Sequence, residues 1–184
     1  MPLARSARFE RELGLTADMA TVLTDERGLA DYFEAVLAKA PGLEASMAAN
    51  WVTVDLRALL NDSGIPIENS PVAPDSLAQL LVMLRTEVIG GRAAKHVLEE
   101  MFRTGQDAAT IVETENLTQI RSDDAIDALV DDVLRSNPGV VDSYHSGKTK
   151  AFEVLVGNVM KVSRGKANVK RVREMLESKL RTMA

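Results

Sequence analysis

The chain has 184 residues, of which 46% are hydrophobic and 27% charged, a composition ordinary for a globular protein that buries a sizeable core. It contains no cysteine, which excludes disulfides, thiol catalysis and thiolate zinc sites and fits a reducing cytoplasm. Its apolar stretches are short and broken by charge, and residues 1–15 lack an apolar secretory segment, so the sequence predicts neither a membrane span nor a signal peptide.

The first part of the chain is predicted to be a series of helices, because its apolar residues recur at helical spacing and no strand pattern of any length is present. Gly14 is a predicted helix stop and Thr16 a predicted N-cap. Either Thr24 or Asp25 is predicted to cap the next helix. The predicted helices are, in order, 4–13, 17–23, 26–37, 45–60, 76–88 and 93–102.

A loop is predicted over residues 61–75, which hold three prolines and a glycine. In the helix before this loop, the residues predicted to share a buried face are Met47, Trp51, Val54, Leu56 and Leu59. Residues 104–121 have a weaker helical pattern and are predicted to hold one short helix near 108–113. We place the main domain boundary in that region, between residues 105 and 106.

The boundary divides a helical body, residues 1–105, from a C-terminal tail domain, residues 106–184. The tail begins at Ser122, a typical N-cap residue followed by two acids. It continues with a short helix near 140–144, a helix whose apolar face runs from 151 to 160, and a last helix capped by Asn168. The predicted fold class is therefore all-α, a helical body followed by a small helical-bundle tail.

Charge is distributed unevenly along the chain, although the net charge is only -5. Residues 137–184 carry ten Lys or Arg against four Asp or Glu, whereas residues 1–136 carry twelve against twenty-three. An acidic body with a basic tail favours a polyanionic partner for the tail.

Patterns typical of catalysis or metal binding are weak in this sequence. His96 and His145 lie far apart, and adjacent acids such as Glu99 and Glu100 do not face each other on a helix. The letters "GKT" at 147–149 resemble the end of a phosphate-binding loop, but Asp142 stands where that motif needs its first glycine. We therefore expect no active site and no bound cofactor in this chain.

Positive charge gathers around the last two predicted helices and the loop that joins them. Cations in the first turn of the last helix oppose its macrodipole, which is easier to understand if an anion binds there. Gly165 would let backbone N–H groups approach a phosphate closely. A glycine C-cap followed by an asparagine N-cap, with lysines present for solubility, explains the same residues equally well. The candidate nucleic-acid-binding residues are Lys148, Lys150, Lys161, Arg164, Gly165, Lys166, Asn168, Lys170 and Arg171.

The tail resembles the YqeY-type domain in four places: "NP" at 137–138, "GK" at 147–148, "LVGNVMK" at 155–161 and "RGKAN" at 164–168. Such domains occur alone and fused to the B subunit of tRNA amidotransferases. The upstream half is similar to the helical body of that subunit, as in "YFEAVL" at 32–37 and "GGRAAKHVLEEMF" at 90–102. The resemblance covers nearly the whole chain.

This resemblance implies a tRNA-binding C-terminal appendage of the B subunit of Glu-tRNA(Gln)/Asp-tRNA(Asn) amidotransferase. It would dock the body of the tRNA by shape and charge, while an N-terminal cradle outside this chain binds ATP and Mg²⁺ and performs the ATP-dependent amidation. The implied partners are tRNA(Gln), tRNA(Asn) and the A and C subunits, in the cytoplasm and away from membranes. The alternatives are a stand-alone YqeY-type protein and a helical protein-interaction module.

Overall fold

A computed structural model describes residues 2–183 and is predominantly helical, which confirms the all-α prediction. Among these residues, β-pairing is limited to one parallel bridge between Ile120 and Ala167. No helix in the described part of the chain is both long and apolar enough to cross a bilayer. The chain forms two compact units, which divide between Asn116 and Leu117.

The elements of unit 1 are α1 (Pro2–Leu13), α2 (Ala17–Asp25), α3 (Arg27–Lys39), α4 (Ala45–Asn50), a π-helical segment (Trp51–Leu56), α5 (Arg57–Ser63), a 3₁₀ turn (Ile67–Asn69), α6 (Pro74–Arg85), α7 (Gly91–Thr104) and α8 (Ala108–Thr114). Helix α3 is central to this unit, because it packs against α2, α4 and α6. Its Phe33 contacts Phe9 of α1 edge to face, with the ring centroids 5.2 Å apart.

The first two predicted N-caps have different outcomes. Thr16 caps α2, because its hydroxyl oxygen accepts a hydrogen bond from the Met19 N–H at 3.3 Å. The prediction that Thr24 or Asp25 caps α3 is wrong, since α2 continues through both residues and α3 begins at Arg27. The buried Thr24 hydroxyl instead donates to the Ala20 carbonyl at 2.8 Å, a backbone bond that lets threonine sit inside a helix.

The helix predicted over 45–60 contains a π-helical stretch that changes which residues are buried. One series of its buried side chains recurs every four residues, beside the buried Ala49 and Trp51. On a regular α-helix this spacing drifts by about 40° per step and by about 120° over three steps. The wider π turn removes part of this drift and keeps the series on one face. The prediction that Val54 is buried is wrong, because it is 59% exposed. The buried series is Ala48, Val52, Leu56 and Leu60.

Unit 1 ends after helix α8. The sequence places the boundary after residue 105, ahead of this helix. In the structure Ala108, Ile111 and Val112 are buried, and α8 packs against α6 and α7. The division between the units therefore follows α8, because three apolar side chains on a short helix are covered by unit 1.

Unit 2 is a small helical bundle formed by α9 (Asp123–Ser136), α10 (Pro138–His145), α11 (Lys150–Val162) and α12 (Val169–Thr182). Helices α9, α11 and α12 pack against one another, and α10 packs on α11. The side chains at the centre of the bundle are Ile126, Val130, Leu155, Val159, Val172 and Leu176. In the loop between α11 and α12, Arg164 and Gly165 are exposed to solvent, whereas Ser163, Ala167 and Asn168 are buried.

Candidate nucleic-acid interface

The loop between α11 and α12 begins with two residues in the left-handed region, Arg164 at φ 54° and Gly165 at φ 77°. The Gly165 N–H donates to the Met160 carbonyl at 2.7 Å, which closes the end of α11. Glycine normally occupies the position that Arg164 takes, because a left-handed conformation costs other residues roughly 1 kcal/mol. An arginine here is therefore not explained by backbone preference.

Two residues that the sequence did not predict as part of the site, Ser163 and Ile120, form hydrogen bonds that hold this loop in place. The buried Ser163 hydroxyl donates to the Met160 carbonyl at 3.1 Å and accepts from the Ala167 N–H at 3.3 Å. Ile120 donates its N–H to the Lys166 carbonyl at 2.7 Å. A serine just after a helix is a recognisable capping signal, whereas nothing local in the sequence marks Ile120. The loop is thus held in one conformation from both sides.

The backbone N–H groups of this loop are used inside the protein. The N–H groups of Gly165 and Ala167 have the acceptors just described, and the Lys166 N–H donates to the Ser163 carbonyl at 3.1 Å. The Asn168 N–H donates to the Ile120 carbonyl at 3.1 Å. The expectation that these groups approach a phosphate is therefore wrong, because internal carbonyl and hydroxyl groups already accept their hydrogen bonds.

Asn168 serves as the N-cap of α12. It is only 5% exposed, and its side-chain oxygen accepts a hydrogen bond from the Arg171 N–H at 3.1 Å. The capping role that the sequence left open for this residue is thus the one found in the structure. The same bond fixes the direction in which α12 leaves the loop.

The two arginines in the first turns of α12 are paired with carboxylates. The Arg171 guanidinium donates to both oxygens of Asp123 on α9, at 2.6 and 2.7 Å, and also reaches Glu174. Arg173 binds Glu153 on α11 at 2.9 and 2.6 Å. These hydrogen bonds raise the pKa of each guanidinium. The two ion pairs link α12 to α9 and to α11, so the guanidinium of Arg171 is engaged in contacts within unit 2.

The other candidate cations have no such partner. Within residues 117–183, six of the Lys and Arg side chains have no carboxylate within 4.0 Å and no hydrogen bond, and all six lie between residues 148 and 170. Lys166 is half-buried and the other five are exposed. We call this set the unpaired cations; it consists of Lys148, Lys150, Lys161, Arg164, Lys166 and Lys170.

Helical geometry places two of the unpaired cations on one exposed face of α11. Lys150 and Lys161 are eleven residues apart, which is close to three full turns, so they point in nearly the same direction roughly 16 Å apart along the axis. Val154 and Gly157 lie between them on that face, and both are exposed. Of the remaining unpaired cations, Lys148 precedes α11, and the other three follow it in the loop and in the first turn of α12.

The aromatic residues of unit 2 lie beside this region but are packed. Tyr144 is half-buried, with its ring centroid 6.0 Å from that of Phe152. Phe152 is half-buried at the edge of the hydrophobic core, and the Arg173 guanidinium lies 5.8 Å from its ring centroid. Hydrophobic packing of Tyr144 is therefore the arrangement found, rather than an outward-facing ring.

The histidines have ordinary surroundings. His96 on α7 lies 2.6 Å from a Glu115 carboxylate oxygen just after α8, and His145 ends α10 in an exposed position. In the part of the chain that the structure describes, no group of three or more His, Cys, Asp or Glu residues is placed to hold a metal ion.

The fold and the surface charges together describe a class of protein: an all-helical protein with an acidic first unit and a small second unit whose unpaired cations lie along α11 and the loop that follows it. Known proteins of this class are found by comparison. The family model described as "GatB domain" matches residues 31–180. The chain belongs to this family, as its motifs indicate.

The curated relatives are B subunits of one kind of enzyme, the aspartyl/glutamyl-tRNA(Asn/Gln) amidotransferase. The B subunit of Methylobacillus flagellatus is 45% identical over 180 residues, that of Nitrosococcus oceani 44% over 180 and that of Bordetella pertussis 42% over 182. Each alignment covers 98% of this chain and 38% of the relative. The chain therefore corresponds to well under half of the length of these relatives.

Proposed function

We propose that this chain is the tRNA-binding helical region of an amidotransferase B subunit and that it docks the body of the tRNA through the unpaired cations of unit 2. The observation that carries this proposal is the run of six cations without carboxylate partners along α11, its following loop and the first turn of α12. Phosphates are the natural partners for such a cluster, since folded RNA presents a dense array of them.

The fixed backbone of the α11–α12 loop supports recognition of the tRNA by its shape. Because Ser163, Ile120 and the Asn168 cap fix its backbone, less conformational entropy is lost when it meets a rigid ligand. Arg164 supports the same proposal, since an exposed arginine is kept where glycine would be more stable. The bound side chains would read the contour of the RNA backbone and not its base sequence.

Family membership supports a proposal for the remainder of the reaction. We infer that a longer protein containing this region acts on Glu-tRNA(Gln) or Asp-tRNA(Asn) with the A and C subunits in the cytoplasm. ATP and Mg²⁺ would bind in the part of the longer protein outside this chain, where the amidation would take place. The role of residues 1–184 would be binding and orientation of the tRNA, without a catalytic step.

Binding of a tRNA(Asn) or tRNA(Gln) transcript to the chain at two salt concentrations tests the proposal. If four to six phosphates are contacted, the affinity falls by roughly one to three orders of magnitude between 50 and 200 mM salt. A chain that fails to bind either transcript at 50 mM salt overturns it.

A charge-matched pair of variants tests the surface itself. Replacing Lys161 by Ala and Arg164 by Asn removes two unpaired cations, and asparagine tolerates the left-handed backbone at 164. We expect the slope of log affinity against log salt to become shallower by about two. The control replaces Arg135 and Arg181, which are paired with Asp132 and Glu177, by Ala. Equal losses in the two variants would contradict a local site.

A protein-interaction module is the second candidate, and exposed valines favour it. Val154 is 48% exposed, Val162 58% and Val169 42%. A protein partner seated on these side chains would bind with little dependence on salt. Salt-insensitive capture of a purified amidotransferase A or C subunit, together with absence of tRNA binding, would select this candidate.

A further inference from the structure

Gly157 occupies an unusual place, the middle of an exposed helix face. It lies in the interior of α11, and a Cβ atom built on it would meet no atom within 4 Å. The backbone at this residue is helical, so no left-handed conformation requires glycine. Neither packing nor local geometry within the described residues explains why a side chain is missing here.

Glycine at this position lowers the stability of α11. Glycine is among the poorest helix formers, because it loses more backbone freedom than alanine when the helix forms. An alanine would fit without any contact and would stabilise the helix. No atom of unit 2 requires the side chain to be absent, so the reason for the glycine lies in an interaction with another molecule. Glycine allows such a molecule to approach the helix backbone more closely than any other residue does.

The neighbours of Gly157 indicate the chemistry of that molecule. On the exposed face of α11, Gly157 lies between Lys150, roughly 10 Å before it, and Lys161, roughly 6 Å after it. Glu153 is the one carboxylate in the sequence of α11, and it is bonded to Arg173. Val154 adds an apolar contact next to the glycine. The face thus has positive ends and a bare, partly apolar centre.

We propose that Gly157 is the point of closest approach between unit 2 and the sugar–phosphate backbone of a double-helical RNA segment. Lys150 and Lys161 bind phosphates on either side, while a ribose edge with its 2′-hydroxyl lies against the bare backbone at 157 and the Val154 side chain. This inference rests on the proposed function and adds to it the part of the RNA that α11 contacts. The A-form minor groove is wide and shallow and presents 2′-hydroxyls, which fits a helix face that has no side chain at its centre.

A protein partner fits this face less well. An apolar protein helix would leave Lys150 and Lys161 without counter-charges, and no carboxylate of this chain is within 4.0 Å of either in the described structure. Phosphates on both sides of a ribose supply both counter-charges at once. Charge complementarity therefore selects RNA.

Two substitutions at one position test the inference. In Gly157→Ala, we expect the melting temperature to rise by about 2–4 °C and the affinity for a tRNA transcript to fall a few-fold. In Gly157→Leu, the larger side chain holds the RNA away from the helix, and we expect the affinity to fall at least about tenfold while the chain stays folded. Stability and binding thus change in opposite directions, which a merely structural glycine would not produce.

The matched control places the same side chain on another helix of the same unit. Ala128 is exposed in the interior of α9, so Ala128→Leu adds an exposed leucine on a helix that carries none of the unpaired cations. We expect its tRNA affinity to stay within twofold of the unaltered chain. In a chain that already carries Lys150→Ala and Lys161→Ala, the additional Gly157→Leu substitution should lower affinity much less, because the three residues act on the same ligand.

The outcomes separate this inference from the proposed function. If the unaltered chain binds tRNA and Gly157→Leu binds equally well, the contact at Gly157 is wrong and the tRNA-binding function stands. If Ala128→Leu weakens binding as much as Gly157→Leu, the effect is not local and the inference is also overturned. If the unaltered chain does not bind tRNA, both proposals fail.

Discussion

The two units use their charged side chains differently. In unit 1, several arginines are paired with carboxylates of other parts of the chain, as where Arg5 contacts Asp31 and Glu34, or Arg57 contacts Glu26. In unit 2, α9 and α12 are joined in the same way, but the unpaired cations lie together on α11 and around its following loop. Net charge alone does not reveal this, because it does not distinguish a cation that has a partner in the fold from one that does not.

Two helical glycines show the same contrast. A Cβ atom added at Gly28, in α3 of unit 1, would lie 2.0 Å from a Glu68 carboxylate oxygen and 2.8 Å from an Ile67 methyl carbon. At Gly157, in unit 2, the same atom would meet nothing. One glycine is required by the packing inside its unit, whereas the other is unexplained until a partner is considered.

The largest expected effect that tests this contrast is at Gly28. We expect Gly28→Ala to lower the free energy of unfolding by about 1–3 kcal/mol, because the buried Ile67 has to move along with the Glu68 side chain. Chemical denaturation of the two alanine variants measures the difference from Gly157→Ala, which should be stabilising. A Gly28→Ala chain as stable as the unaltered one would remove the contrast.

A smaller effect is expected at Asn168, where the structure assigns a capping role. Asn168→Ala should lower the free energy of unfolding by about 1 kcal/mol, because the Arg171 N–H loses its acceptor at the start of α12. Asn168→Ser should restore most of this stability, since serine is also a good N-cap. At a temperature where both variants are folded, we expect tRNA affinity within twofold of the unaltered chain. A strong loss of affinity in both would instead make Asn168 a contact residue.

The smallest expected effect is on the titration of Glu153, which tests its ion pair with Arg173. Hydrogen bonds from Arg173 hold the pKa of Glu153 below its ordinary value of 4.5. Because the pKa is lowered in the folded state, the stabilising contribution is present above pH 4.5 and is lost as the pH falls through the folded pKa. We expect an NMR midpoint for the Glu153 carboxyl below 4.5, moving towards 4.5 in Arg173→Ala. The control Arg135→Ala should leave the midpoint unchanged, and a midpoint at 4.5 in the unaltered chain would argue against the pair.

Much of the candidate site was predictable because its signals are local. The Asn168 cap and the concentration of cations after residue 147 are visible in the letters of the sequence. The fastening of the loop was not predictable, because Ile120 reaches it from more than forty residues away in the chain. The pairing of Arg171 with Asp123 is hidden for the same reason, since it depends on how α9 and α12 pack.

By itself the sequence determined the helical class of this protein, the approximate positions of most helices and the family, because helical periodicity, caps and motifs act over a few residues. Tertiary structure decided that Val54 is exposed, that α8 belongs to unit 1 and which cations remain without a carboxylate. The physical reason is range: a helix forms from bonds between near neighbours, whereas burial and ion pairing depend on residues that folding brings together from distant parts of the chain.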